Sequence, residues 1–376
     1  MRGVYLNHAG TSWPKPDIVL RAADATWRSD PLDWSAQFVR DHRTVAAFFG
    51  VEDPSQLLLT PSCTSAINVA VHDHFWNPGD RVLISAWEHH ALHRPAAKLA
   101  EYGVDVEVLP HTEADPVILE SLEHELKQGR VKLVAITAAC NVTGDLLPIH
   151  DVIRLAHEYE SRVLIDAAQV AGWLDLNLAE LGADLVTFAG HKGPLAPWGI
   201  GGLYMRPGLQ MNSPAAVCEI KYDSQSGKTQ PPPSLPGYCD VGSVNRPVLA
   251  GLAAGVQWLG ETGRQDRLTD ARRLTQLFYD ACQDMDRVSV YGSSDRSERM
   301  PTVAFNIEGV SSTDVAKQFL HRDVIVSGGL QCAPLAHKSL GTNPDGAVRL
   351  SVGPSTSEQD IQTAIAALGE IVQSPS

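Results

Sequence analysis

The chain predicts an α/β fold, with a large domain on a mostly parallel sheet between helices and a smaller α+β domain at the C-terminus. Three observations predict it. Val163–Ile165 and Leu185–Phe188 are short apolar runs rich in β-branched residues, as expected of parallel strands covered on both faces. Both runs end on residues that carry chemistry, Asp166 and the turn Ala189-Gly190-His191-Lys192, where open α/β sheets place their ligands. After Met205 the pattern changes, and strands mixed with helices follow a Pro- and Ser-rich run at Ser224–Pro236 that reads as an exposed loop.

Taken in order, Tyr5–Pro16 is a short strand and a proline-punctuated turn. Helices are expected at Asp17–Arg28 and Ser35–Phe49, the second with apolar spacing at Phe38, Val45 and Phe48–Phe49. Gln56–Trp76 reads as strand, small-residue turn and helix. Its turn residues Ser62, Cys63, Thr64 and Ser65 offer a helix N-terminus suited to a phosphate or to a plain cap. Arg81–Ser85 is a strand leading to Glu88, His89 and His90, and Asp105–Pro110 and Val131–Gly144 supply two more strands around a helix at Pro116–Gln128. Helices at Pro247–Thr262 and Gln265–Asp284 lead into the small domain. Its strands lie in Pro301–Val310 and Gly346–Gly353, its helices at Ser312–Leu320 and Glu358–Val372.

At 376 residues the chain can bury two cores. A formal charge of −14 and a pI near 5.4 argue against nucleic acid or an acidic membrane as partner. With no basic-then-apolar leader and no run of about eighteen apolar residues, a cytoplasmic location is the default expectation. Six scattered cysteines without CxxC spacing disfavour a zinc or iron–sulfur site and read as free thiols.

Asp166 alone reads as a helix cap, and Lys192 alone as a solvated turn residue. On adjacent strand ends they suit a pyridine ring, the Asp pairing with its nitrogen and the Lys binding covalently, which is what pyridoxal phosphate requires. The segments carrying them, DAAQ, FAGHKG and GIGGLY, resemble the cysteine desulfurase family, within the class V aminotransferase group of fold-type I pyridoxal-phosphate enzymes. The likeness runs from YLNHAGTSWPKP to GAVRLSVGPSTSEQDI. It implies a seven-stranded large-domain sheet and a homodimer. The expected parts are an N-terminal segment at 1–20, a cofactor domain at 21–250 and a small domain at 251–376.

The resemblance also implies roles. Cys63 and Thr64 would hold the cofactor phosphate, Cys63 mainly through its backbone, with Ser243 reaching a second subunit's phosphate. His89 would stack on the ring and shuttle protons, while Asn141 and Gln169 would contact the phenolate oxygen. Asp166 would pair with the ring nitrogen and Lys192 would carry the cofactor, its amine depressed by burial and by His191 beside it. Arg349 would bind the substrate carboxylate and Asn7 would border it, with His8 where an Asn is usual. Cys332, in GGLQCAPLAH, would attack the substrate sulfur from an exposed, mobile loop, and His337 would pack that loop. Ala189 stands where a phosphate-binding Ser is common, which implies weaker cofactor retention. The activity implied is conversion of L-cysteine to L-alanine with sulfur passed as a persulfide on Cys332, and onward to an acceptor protein. Alternatives are a lyase acting on selenocysteine, cystine or cysteine sulfinate, or an aminotransferase. A nicotinamide oxidoreductase would need a G-x-G-x-x-G turn, and PSCTSA is not one. A silent sulfur-relay partner would have no use for Asp166, Lys192, Cys332 and Arg349 together.

Overall fold

The computed structural model describes residues 3–112, 117–211, 221–223, 228–230 and 243–373. Its strands are β1 (Val4–Tyr5), β2 (Leu57–Thr60), β3 (Arg81–Ile84), β4 (Asp105–Val108), β5 (Val131–Thr137), β6 (Arg162–Asp166), β7 (Leu185–Ala189) and β8 (Gly201–Met205), then β9 (Lys221–Asp223), β10 (Lys228–Gln230), β11 (Val288–Tyr291), β12 (Thr302–Ile307), β13 (Val324–Ile325) and β14 (Val348–Ser351).

Seven strands form the large sheet in the order β2-β8-β7-β6-β5-β3-β4. Only β8 runs antiparallel to its neighbours. This is the seven-stranded, mostly parallel sheet that the resemblance implies. Side chains alternate between two cores. Val134, Ile136, Val163, Ile165 and Val186 pack on one face, beneath helices that include Trp34–Phe48, Ile149–Glu158 and Arg246–Glu261. Leu133, Ala135, Leu164 and Leu185 pack on the other, beneath Cys63–His72 and His90–Lys98. Both faces are buried, so these strands read as continuous apolar runs.

β8 is the strand that propensity hides, because it opens on two glycines. A Cβ at Gly201 would lie 2.6 Å from the Cys63 amide nitrogen, and one at Gly202 would run into the Phe188 ring. Close packing, not strand preference, selects the residues there.

In the C-terminal part β11-β12-β14 form an antiparallel sheet under helices Arg264–Gln283, Ser312–Leu320 and Glu358–Gln373. β1 pairs parallel with β13. The division expected at 250/251 falls inside helix Arg246–Glu261, whose Val248, Leu249, Leu252 and Val256 belong to the large-domain core. The change of core comes later, within Arg264–Gln283: Leu268 packs with the large domain, and Leu274 and Phe278 with the small one. Of the loop expected at Ser224–Pro236, Lys228–Gln230 pairs antiparallel with β9 and the rest lies outside the described residues. Pro116, at the start of one expected helix, also lies outside them, and that helix runs Leu119–Lys127.

Candidate active site

The carboxyl ends of β5, β6 and β7 are level, with Thr137 opposite Asp166 and Asp166 opposite Thr187. They form the floor of a cavity of about 400 Å³. Eleven of the twelve candidate site residues line it: Asn7, Cys63, Thr64, His89, Asn141, Asp166, Gln169, His191, Lys192, Cys332 and Arg349. Ser243 does not. It is exposed, two residues before Asn245, which caps helix Arg246–Glu261 through its own side chain.

Asp166 is buried, and its Oδ1 accepts from the Ala168 amide at 3.0 Å, the Cys63 thiol at 3.4 Å and the Thr187 hydroxyl at 3.5 Å. Burial pushes its carboxyl up, and the Ala168 amide and the Lys192 ammonium pull it back. For Lys192 burial pushes the amine down, opposed by Asp166. Two groups of opposite charge thus share a buried floor, and every donor to Asp166 among the described residues falls on Oδ1.

Helix Cys63–His72 opens against this floor. Ser62 caps it, accepting from the Ser65 amide at 3.1 Å, and Thr64 lines the cavity beside it. The helix end gives unpaired N–H groups suited to an anion. Ala189, at the end of β7, also lines the cavity and brings no hydroxyl. The Cys63 thiol is pushed well up by burial and by Asp166, so it serves as a neutral donor.

His89 caps helix His90–Lys98, its Nδ1 accepting from the Ala91 amide at 3.0 Å. The neutral ring therefore carries its hydrogen on Nε2. Burial and then Lys192 push this imidazole down to about 4. Glu88 beside it, which the sequence places after the strand without a role, is fully buried. The Ser85 hydroxyl at 2.5 Å and the Thr137 amide at 2.9 Å donate to its Oε1, and burial pushes the carboxyl up to about 8.

The roof comes from the small domain and the N-terminal segment. Arg349, on β14, donates from Nη2 to Asn7 Oδ1 at 2.9 Å and from Nη1 to the Asn141 carbonyl at 2.7 Å, and its buried Nε has no partner among the described residues. Burial pushes the guanidinium down to about 10. Asn141 donates from Nδ2 to the Gln331 carbonyl at 2.8 Å, so one amide hydrogen braces the Cys332 loop and one is left. Gln169 donates to the Ala9 carbonyl at 3.3 Å. His8 is buried against Tyr5, at 5.0 Å between ring centroids, and lies off the main cavity lining.

Cys332 is exposed, whereas Cys63, Cys140 and Cys282 are buried. Its loop is anchored by backbone hydrogen bonds. The His90 amide donates to the Cys332 carbonyl at 2.7 Å, and the Ala333 amide to the Leu330 carbonyl at 2.8 Å.

Sequence reading also missed Lys15. A lysine before a proline in a turn resembles a surface residue, yet its Nζ donates to the Ser12 hydroxyl at 2.6 Å and to the His191 carbonyl at 2.7 Å. That carbonyl, one peptide before Lys192, also accepts from the Ser12 amide at 3.1 Å, the Ser12 hydroxyl at 3.0 Å and the Thr11 hydroxyl at 3.2 Å. Burial pushes the Lys15 amine down to about 7. The His191 ring, hydrogen-bonded to Thr11 at 3.0 Å, is pushed down to about 4 by burial and then by Lys192.

The family model for class-V aminotransferases matches residues 4–363. A probable cysteine desulfurase of Chlamydia trachomatis is 30% identical over 348 residues, 88% of this chain and 82% of that one. The chain belongs to the cysteine desulfurase family of class-V aminotransferases. Solved structures share its fold. A cysteine desulfurase of Escherichia coli superposes with a TM-score of 0.90 at 23% identity, covering 99% of this chain and 95% of the other. A cystine C–S lyase in complex with cysteine persulfide does so with a TM-score of 0.83 at 21% identity, covering 98% and 97%.

A member of the class-V aminotransferase family is a pyridoxal-phosphate enzyme, and the cavity fits that group. Its volume is within the range of ordinary cofactor pockets. It brings together an acid, Asp166, an amine, Lys192, and the N-terminus of helix Cys63–His72, a donor set suited to a ring nitrogen, a carbonyl carbon and a phosphate. Among the described residues no group of His, Cys, Asp and Glu could hold a metal, and no helix is long and apolar enough to cross a membrane.

Proposed function

We propose that this enzyme is a cysteine desulfurase, converting L-cysteine to L-alanine and taking the sulfur as a persulfide on Cys332. The observation that carries this reading is an exposed thiol, Cys332, lining the same cavity as the buried pair Asp166 and Lys192.

Pyridoxal phosphate, when bound, acts as an electron sink that lets bonds at the substrate α-carbon break. Asp166 would hold the ring nitrogen; Cys63, Thr64 and the helix end would hold the phosphate; His89, Asn141 and Gln169 would contact the ring and its phenolate oxygen. Arg349, oriented by Asn7, lines the cavity and would offer the remaining N–H hydrogens of its Nη atoms to the substrate carboxylate. Lys192, its amine kept low by burial, takes the proton from the α-carbon and returns it. The Cys332 thiolate attacks the substrate sulfur. The Sγ–S bond forms as the Cβ–S bond breaks, the electron pair of that bond stays with Cβ, and a proton completes the methyl group of alanine. An exposed persulfide is then open to an acceptor protein.

Function as a homodimer is part of the proposal, with Ser243 contributing across the interface. Trp27 (74% exposed), Leu32 (90%) and Trp198 (72%) are large apolar side chains left exposed, Trp27 on a helix that packs on Arg246–Glu261 and Trp198 next to Pro197, which meets Gly251 of that helix. A cytoplasmic setting accords with the free thiols.

The test is alanine and sulfide release from L-cysteine by the purified holoenzyme and its Cys332→Ala variant. Cysteine turnover is expected in the first and lost in the second, with the visible cofactor band kept in both. Cystine or selenocysteine cleavage that survives in Cys332→Ala would favour the second reading, a C–S lyase, which the fold shared with the cystine lyase supports.

A further inference from the structure

Sequence reading leaves His337 as packing, yet the structure builds a directed hydrogen-bond chain from it to the nucleophile. His337 is completely buried on the short helix Pro334–Ser339. The Gln331 side chain donates from Nε2 to the Ala347 carbonyl at 2.7 Å, which leaves its Oε1 as an acceptor 3.0 Å from His337 Nε2. His337 Nε2 is then the donor, and Nδ1 pairs with the Thr342 hydroxyl at 2.7 Å, a hydroxyl that also lies 3.4 Å from the His337 carbonyl. Burial, the largest influence on this imidazole, holds it down to about 4.

What the chain holds is an uncommon backbone. Gln331 and Cys332 sit at φ of 40° and 59°, consecutive side-chain-bearing residues in the left-handed region that favours glycine. Such a turn persists only where its surroundings over-determine it. Two backbone anchors do part of this, the Asn141 amide on the Gln331 carbonyl and the His90 amide on the Cys332 carbonyl. The Gln331 side chain, clamped between Ala347 and His337, does the rest.

We propose that His337 is a positioning residue for the Cys332 nucleophile, acting through the Gln331 side chain to hold the left-handed turn that presents Sγ to the cavity. This rests on the reading of Cys332 as the sulfur-accepting thiol. It deepens that reading by assigning the geometry of attack to a residue that touches neither cofactor nor substrate.

The experiment compares holoenzyme variants by two readouts, kcat and KM for alanine formation from L-cysteine and the rate of Cys332 alkylation by iodoacetamide. His337→Leu, which keeps the bulk and removes the donor, should lower kcat about 10- to 100-fold, the scale of a misplaced reacting group, with KM and the visible cofactor band little changed. His337→Gln, whose amide can donate from near the Nε2 position, should recover most of it. On the exposed side of the chain, Gln331→Ala should behave like His337→Leu, and Gln331→Gly, free to take a positive φ unaided, should lose less. The alkylation rate should change in step with kcat across the four variants. Wild-type kcat and alkylation rate in both His337→Leu and Gln331→Ala would overturn the proposal, as would equal losses in Gln331→Ala and Gln331→Gly. If the wild type releases no alanine from cysteine, the functional reading fails by itself, and the alkylation series still decides the positioning role.

Discussion

The floor and the roof of the cavity are built on opposite principles. Asp166 ends a strand paired on both sides and is 3% exposed, and Lys192 follows one strand over. Cys332 hangs on a loop of left-handed backbone, exposed, fixed by hydrogen bonds instead of a ladder. The difference follows from the two tasks. Holding a charged ring and moving a proton at carbon call for low dielectric and fixed geometry, because desolvation is what depresses the lysine. Passing sulfur outward calls for a thiol that can meet both the cavity and a partner. A buried thiol such as Cys140, which burial pushes up to about 11, would be inert.

This contrast predicts a separation by region. Lys192→Ala should lower alanine formation by roughly 10⁴-fold, the upper end for a proton-transfer residue, and should alter the visible cofactor band. Roof variants such as Cys332→Ala should keep that band. The measurement pairs steady-state alanine release with an absorbance spectrum. A Lys192→Ala enzyme with an unaltered spectrum would erase the distinction between the two regions.

Arg349 sits on the seam. It belongs to β14 of the small-domain sheet, yet its guanidinium is held by Asn7 from the N-terminal segment and by Asn141 after β5. Arg349→Lys keeps the charge but cannot reproduce a fork with two donors already committed. Loss of one charge-assisted hydrogen bond is worth about 1.5–3 kcal/mol, so KM for cysteine should rise about 10- to 100-fold. The rise should exceed any fall in kcat. A fall in kcat with unchanged KM would place Arg349 in loop positioning and not in carboxylate binding.

Floor and roof were also unequally legible in the sequence. Asp166 and Lys192 could be read because strand ends in an open sheet are where ligands sit, and the strands announce themselves as apolar runs. Ser312–Leu320 matches its expected bounds because its cap and spacing are local. The roof depends on contacts between residues far apart in sequence. Nothing near Gln331 signals that Asn141 braces its carbonyl, 190 residues away. Nothing near Lys15 signals that it reaches His191, 176 residues on. β8 was hidden because its glycines answer to a helix end and a phenyl ring, and position 250/251 lies inside a helix of small and apolar residues whose pattern does not say which core it joins.

Lys15 sharpens the comparison at its finest grain, since it ties the N-terminal segment to the peptide that carries Lys192. It has no acidic partner among the described residues, and burial alone depresses it to about 7, against the ordinary value of 10.5. Between those two values the unfolded chain binds a proton that the folded chain does not, so this group makes stability rise with pH across that window. Below about pH 7 both forms are charged and the slope ends. Lys15→Met removes that contribution and leaves the similarly depressed Lys192 in place, so the difference between the two proteins isolates Lys15. On going from pH 7 to pH 10 the wild type should gain about 1–3 °C in Tm relative to Lys15→Met, measured on the cofactor-free protein. A Tm difference that stays constant over that range would mean that Lys15 remains charged throughout. The four donors on the His191 carbonyl would then act as fixed packing of the turn, with no titrating member.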